Sequence, residues 1–176
     1  MNRENEKRKE LEEIEQSVSA EDLNEYALEV VKKYFSKLAE KLEEKKERIV
    51  IKEVNSILQN NQYTVTVTCY FSNDIEKIAN KIIDREKWRV LESKNYLEHP
   101  KKNGYRGIWF RLAIPYKDVK NENAVINIRI HTIGMEYWLE MEEQISKGQQ
   151  IIGKESLKEY SKHILDIENK IYKKIK

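Results

Sequence analysis

The chain has 176 residues, of which 36% are charged and 39% hydrophobic, and its 33 basic and 31 acidic residues leave a net charge of +2. That length fits one domain, and so even a balance of charge does not mark a nucleic-acid binder. A single cysteine, Cys69, excludes an intramolecular disulfide and a cysteine-based zinc site. The charged opening residues do not read as a secretory leader, and no apolar run approaches ~18 residues, so a soluble, cytoplasmic protein is expected. Only 5 glycines and 2 prolines interrupt the chain, which favours long helices around a small sheet over a loop-rich sandwich.

In chain order, residues 2–16 alternate charge signs with only Leu11 and Ile14 apolar, and read as a solvated helical arm, residues 1–19, able to meet a protein partner. Ser19 followed by Asp22 resembles a helix start. Leu23, Ala27, Val30, Val31, Tyr34, Phe35, Leu38 and Leu42 then recur at helical steps, predicting an amphipathic helix over 20–46. Residues 49–58 are ambiguous between strand and helix. Gln62 to Phe71 alternates as a strand, with Tyr63, Val65, Val67, Cys69 and Phe71 on one face and Thr64, Thr66 and Thr68 on the other. Cys69 on that apolar face reads as inert. A helix opens at Asp74, and Trp88 to Leu91 reads as a short strand. A turn-rich loop from His99 to Gly104 leads into strands at Tyr105 to Tyr116 and Ala124 to Thr132. Helices at Ile133 to Lys147 and Lys154 to Lys174 close a single α+β domain spanning 20–176.

Alternation gives the last two strands distinct faces. Ala124, Ile126, Ile128 and Ile130 read as core, while Asn127, Arg129 and His131 point the other way. Tyr105, Gly107, Trp109 and Arg111 share a face opposite Arg106, Ile108, Phe110 and Leu112. If these strands pair, one sheet surface is both basic and aromatic, which suits a purine base and its phosphates. An ordinary solvent face of an antiparallel sheet is the plainer reading. The segment Lys101-Lys102-Asn103-Gly104-Tyr105-Arg106-Gly107 adds cations and glycines, but it is not a Walker loop. Trp88 and Trp138 read as core anchors. The three histidines His99, His131 and His163 lack metal-ligand spacing.

The run His99-Pro100-Lys101-Lys102-Asn103-Gly104-Tyr105-Arg106-Gly107-Ile108 resembles the N-P-K-P-N-G-Y-R-S-L-H segment of RelA/SpoT-type alarmone synthetases. Asn127-Ile128-Arg129-Ile130-His131-Thr132, followed by Met135-Glu136-Tyr137-Trp138, is similar to that family's E-I-Q-I-R-T strand and M-x-x-W helix. Phe71-Ser72-Asn73-Asp74-Ile75 fits its strand-to-helix step. The resemblance runs from about residue 62 to the end. It implies a nucleotidyltransferase-like fold, a small mixed or antiparallel sheet with flanking helices. It also implies magnesium-dependent transfer of pyrophosphate from ATP to GDP or GTP, and a homo-oligomer.

Several positions depart from the family. Its catalytic Glu falls on Asn127, its metal-binding Asp near Asn61, its motif His on Trp109, and its E-I-Q-I-R-T Arg on His131. Glu143 stands where the His after the M-x-x-W helix is expected, and Arg48 and Lys52 are at most remnants of the basic ATP-binding segment. Glu140, Glu142 and Glu143 are candidate substitute metal ligands. The acceptor side is retained: Tyr105 matches the tyrosine that stacks on guanine, and Lys101, Lys102 and Arg106 are placed to meet phosphates, with Asn103 and Arg129 as further candidate nucleotide-binding residues. Without carboxylates, metal-dependent transfer loses orders of magnitude in rate. Trp109 either stacks in place of the lost His or plugs the cleft. Three readings follow: a degenerate synthetase that binds a guanine nucleotide or (p)ppGpp for regulation, an active pyrophosphokinase with an altered magnesium site, or an interaction scaffold.

Overall fold

The structure is a computed structural model that describes residues 18–47, 49–117, 122–148 and 152–175. Arm residues 1–17 and Arg48 lie outside the described residues. Helix α1 (Ala20–Glu44) begins where Ser19 caps it, its hydroxyl accepting from the Asp22 amide at 3.0 Å. It ends with Lys46 in the left-handed region, φ 51°, as the Glu47 amide bonds back to the Leu42 carbonyl. The ambiguous stretch that follows is a strand, β1 (Ile51–Gln59), hairpinned to β2 (Gln62–Cys69). The turn between them, Asn60-Asn61, has both residues at positive φ, the primed geometry that matches strand twist and that asparagine tolerates.

Helix α2 (Ser72–Ile83) starts two residues before the expected Asp74, so Phe71 caps a helix and does not end a strand. Strand β3 (Arg89–Asn95) runs four residues beyond the expected Leu91, past a bulge between Val90 and Glu92. Strand β4 (Ile108–Pro115) begins later than expected because Gly104 to Gly107 is irregular, and β5 (Asn123–Thr132) follows. Helices α3 (Ile133–Lys147) and α4 (Ile152–Lys174) complete the chain.

The five strands form one mixed sheet in the order β1-β2-β5-β4-β3, with β2 and β5 parallel and the other neighbours antiparallel. One face is the core. Val65, Val67, Cys69, Phe110, Leu112, Ile126, Ile128 and Ile130 lie under α1 and α2, against Val31, Phe35, Ile75, Ile78 and Ile82. Phe71 apart, the alternation expected for β2, β4 and β5 survives in that packing. The other face is covered at one end by a smaller cluster of Tyr105, Met135, Trp138, Leu157 and Ile164, contributed by α3, α4 and the loop before β4. Beyond that cap the face carries polar side chains.

Candidate functional site

Strand register assembles this second face. Trp109 stands opposite Arg129 and Arg111 opposite Asn127 across β4 and β5. Across β5 and β2, Thr64, Thr66 and Thr68 lie beside Asn127, Arg129 and His131. On the other side, β3 sets Lys94 opposite Trp109 and Glu92 opposite Arg111. The basic and aromatic surface expected from alternation therefore exists, with Lys94 added. Lys94 is not legible as a site residue in the sequence because alternation carries the expected strand only to Leu91.

The guanidinium of Arg129 is held in place: Nη2 donates to Thr66 Oγ1 at 3.0 Å, while its Nε is buried without a partner among the described residues. Asn127 Oδ1 is likewise buried and unpartnered. Lys94 Nζ pairs with Glu92 at 2.8 Å and sits 5.1 Å from the centre of the Trp109 ring. Lys101 reaches the same region from the loop. Its ammonium is made easier to deprotonate by partial burial, then by the positive charges of Arg129 and Lys94. Three cations thus converge, and among the described residues only Lys94 has a carboxylate within ion-pair distance, Glu92. Such a field favours a polyanion.

At the capped end, chemistry gives way to packing. Tyr105 is 3% exposed, its hydroxyl 3.4 Å from His131 Nδ1, and its ring lies under the Lys101 ammonium with Tyr96 and Trp138 as neighbours. No ring face is left open for a base. The adjoining Gly107 explains the tight turn, because a Cβ there would stand 2.6 Å from the Ile130 carbonyl oxygen. Trp138 Nε1 donates to the Leu157 carbonyl at 2.7 Å, and Ser161 donates to the Gly104 carbonyl, so α4 seals the loop. His131 is 1% exposed, and burial followed by the charge of Arg129 lowers its pKa to about 3. It is a neutral imidazole at ordinary pH.

Other expected site residues are dispersed. Arg106 turns away from the open face, donating from Nη1 to the Leu97 carbonyl at 3.3 Å. Lys102 and Asn103 are exposed in the loop, and the Asn103 side chain accepts from the Tyr105 amide at 3.1 Å. Asn61 occupies the hairpin turn, its carbonyl accepting from Asn24 of α1 at 2.6 Å. That bond sets the turn on the α1 side, three residues before Thr64, or roughly 10 Å along the strand from the Asn127 level. Glu143 pairs with Lys147 at 2.6 Å, Glu142 accepts from Ser146 at 3.3 Å, and Glu140 is exposed on the same helix. His99 and His163 are exposed, and Cys69 is buried with its thiol pushed above the ordinary range. Lys52 is an exposed residue of β1.

With this geometry in view, comparison with known proteins is decisive. A family model described as the region found in RelA / SpoT proteins matches residues 31–150. The chain belongs to the RelA/SpoT family. GTP pyrophosphokinase YwaC of Bacillus subtilis (strain 168) is 30% identical over 114 residues, which are 64% of this chain and 54% of that protein. GTP pyrophosphokinase YjbM of the same organism is 26% identical over 81 residues, 46% of this chain and 38% of that one. The matched stretch thus spans about half, or less, of the length of these curated relatives. The small alarmone synthetase 2 of Bacillus subtilis superposes with a TM-score of 0.73 at 22% identity, over 85% of this chain and 92% of that one. The small alarmone synthetase 1 of Bacillus subtilis bound to its product pppGpp gives 0.75 at 17% identity, over 85% and 90%. These likenesses establish the fold, an α+β sheet with flanking helices.

The magnesium ion implied by the RelA/SpoT resemblance does not fit the residues present. A hard divalent cation takes oxygen ligands led by carboxylates. The two positions expected to supply carboxylates hold neutral amides, one of them in a turn on the helix side. Among the described residues no three of Asp, Glu, His and Cys converge on a point able to hold a metal. No helix among them is long and apolar enough to cross a membrane.

Proposed function

We infer that this RelA/SpoT-family chain is a cytoplasmic, catalytically degenerate alarmone-synthetase fold that binds a guanine nucleotide or (p)ppGpp in a regulatory role. The observation that carries the reading is Asn127. It stands at the centre of the open face, in register with Arg111 and beside Arg129, where the family's catalytic carboxylate is expected. An amide there neither holds a metal strongly nor takes a proton. The surrounding charge, in contrast, is positive: Lys101 feels the repulsion of Arg129 and Lys94, which an anion would relieve. The fold supports phosphate binding without supporting the chemistry that follows it.

Nucleotide binding in this account is independent of metal. Titration of the chain with GDP, GTP and (p)ppGpp, with excess magnesium and again with a chelator, is expected to give the same affinity in both. Binding that vanishes on chelation would contradict the reading and favour an altered magnesium site. No binding of any nucleotide would favour an interaction scaffold. The exposed Tyr160, Ile167 and Ile171 on α4 support the further proposal that copies of the chain associate.

A further inference from the structure

Trp109 is the feature of the open face that lost catalysis leaves without a task. The chain has three tryptophans. Trp88 and Trp138 are 6% and 0% exposed and belong to the cores. Trp109 alone is half-buried on the open face, flanked by Arg129 on one neighbouring strand and Lys94 on the other. The Lys94 ammonium 5.1 Å from its ring centre shows that a π face is reachable by a polar group from solvent. Tyr105, assigned to base stacking by resemblance, is only 3% exposed, packed against Tyr96 and Trp138 in the loop that α4 holds down.

We propose that Trp109, not Tyr105, is the surface on which a purine base stacks, with Lys94, Lys101 and Arg129 taking the phosphates of a purine nucleoside diphosphate. The proposal rests on the nucleotide-binding reading above and deepens it by relocating the base. An indole offers the largest stacking area of any side chain, and a purine offers more area in return than a pyrimidine. The base displaces the Lys94 ammonium from the ring, and that ammonium then meets the diphosphate beside Arg129. Three converging cations match a diphosphate better than a single phosphate. Trp109 is in this view a replacement for the buried tyrosine and leaves the cleft open.

The test compares GDP with inorganic pyrophosphate, which carries the phosphates without the base, on the full chain by calorimetry. Trp109→Ala is expected to weaken GDP by about tenfold or more and to leave pyrophosphate unchanged. Trp109→Phe, which keeps a stacking ring, is expected to stay within about threefold of the wild type for GDP. Because the other two indoles are buried, GDP is expected to quench wild-type tryptophan fluorescence more strongly than pyrophosphate, which moves Lys94 but stacks nothing on the ring. GDP binding untouched by Trp109→Ala would overturn the proposal while leaving the nucleotide reading intact. Equal loss of GDP and pyrophosphate in both Trp109 variants, with unchanged far-UV circular dichroism, would also overturn it, since Trp109 would then serve structure only. Wild-type protein that binds neither probe would overturn both.

Discussion

The two faces of one sheet have opposite fates. Beneath α1 and α2, Ile126, Ile128 and Ile130 are fully buried among aliphatic and aromatic partners. On the opposite side of the same strand, Asn127 and Arg129 keep buried polar atoms without partners among the described residues. A polar atom in that state costs free energy unless a ligand or water satisfies it. The core face is therefore organised for stability, and the open face tolerates local cost in a way typical of binding surfaces. The capped end of the open face shows the transition. Tyr105 and His131, residues of binding type, are absorbed there into a small core.

The contrast breaks first, and by most, if a core-face side chain proves dispensable. Phe35→Ala is expected to cost about 3–5 kcal/mol in denaturant unfolding, because the ring is fully buried. The cap makes a sharper demand through Glu168 of α4. Burial pushes its carboxyl up to about 7, against weaker opposing hydrogen bonds from Thr132 and Ser72. A folded pKa above the unfolded value means stability that is complete below about 4.5 and lost as pH rises through about 7. Glu168→Gln is expected to remove that loss, an effect on the order of 3 kcal/mol at pH 8, seen as a stability difference from wild type that grows between pH 4.5 and 7.

Gly107→Ala tests the join between the two faces. Its Cβ would meet the Ile130 carbonyl oxygen at 2.6 Å, and strand backbone gives way poorly. A loss of roughly 1–3 kcal/mol is expected, measured by thermal or denaturant unfolding. Arg111→Ala lies at the other extreme. The side chain is exposed on the open face, so stability is expected to change by less than about 0.5 kcal/mol. A large loss there would erase the distinction between a face for folding and a face for binding.

Much of this was legible in the sequence for a physical reason. The alternation of Ala124, Ile126, Ile128 and Ile130 against Asn127, Arg129 and His131 fixes a two-sided strand, and the expected core set is fully buried, with His131 buried as well beneath the cap on the other face. The helical stripe from Ala27 to Leu42 likewise points to its core. Residues 49–58 were ambiguous because β1 is an edge strand with one exposed face and a bulge between Ile51 and Glu53, so neither period dominates. Lys94 was missed for a similar reason, as the β3 bulge at Val90 and Glu92 interrupts alternation. The burial of Tyr105 depends on α4 docking some fifty residues later, through Leu157, Lys158 and Ser161, and no local pattern encodes that. Asn61 reads as a lost carboxylate by resemblance, yet its place in a positive-φ turn gives asparagine a structural reason to be there.

With an amide at Asn127, the open face is proposed to bind a nucleotide without transferring pyrophosphate. The most direct measurement is pyrophosphoryl transfer from labelled ATP to GDP and GTP, first with magnesium and then with manganese, beside an active synthetase. No labelled product above the blank is expected with either metal. A labelled guanosine tetra- or pentaphosphate formed by the wild-type chain would contradict it.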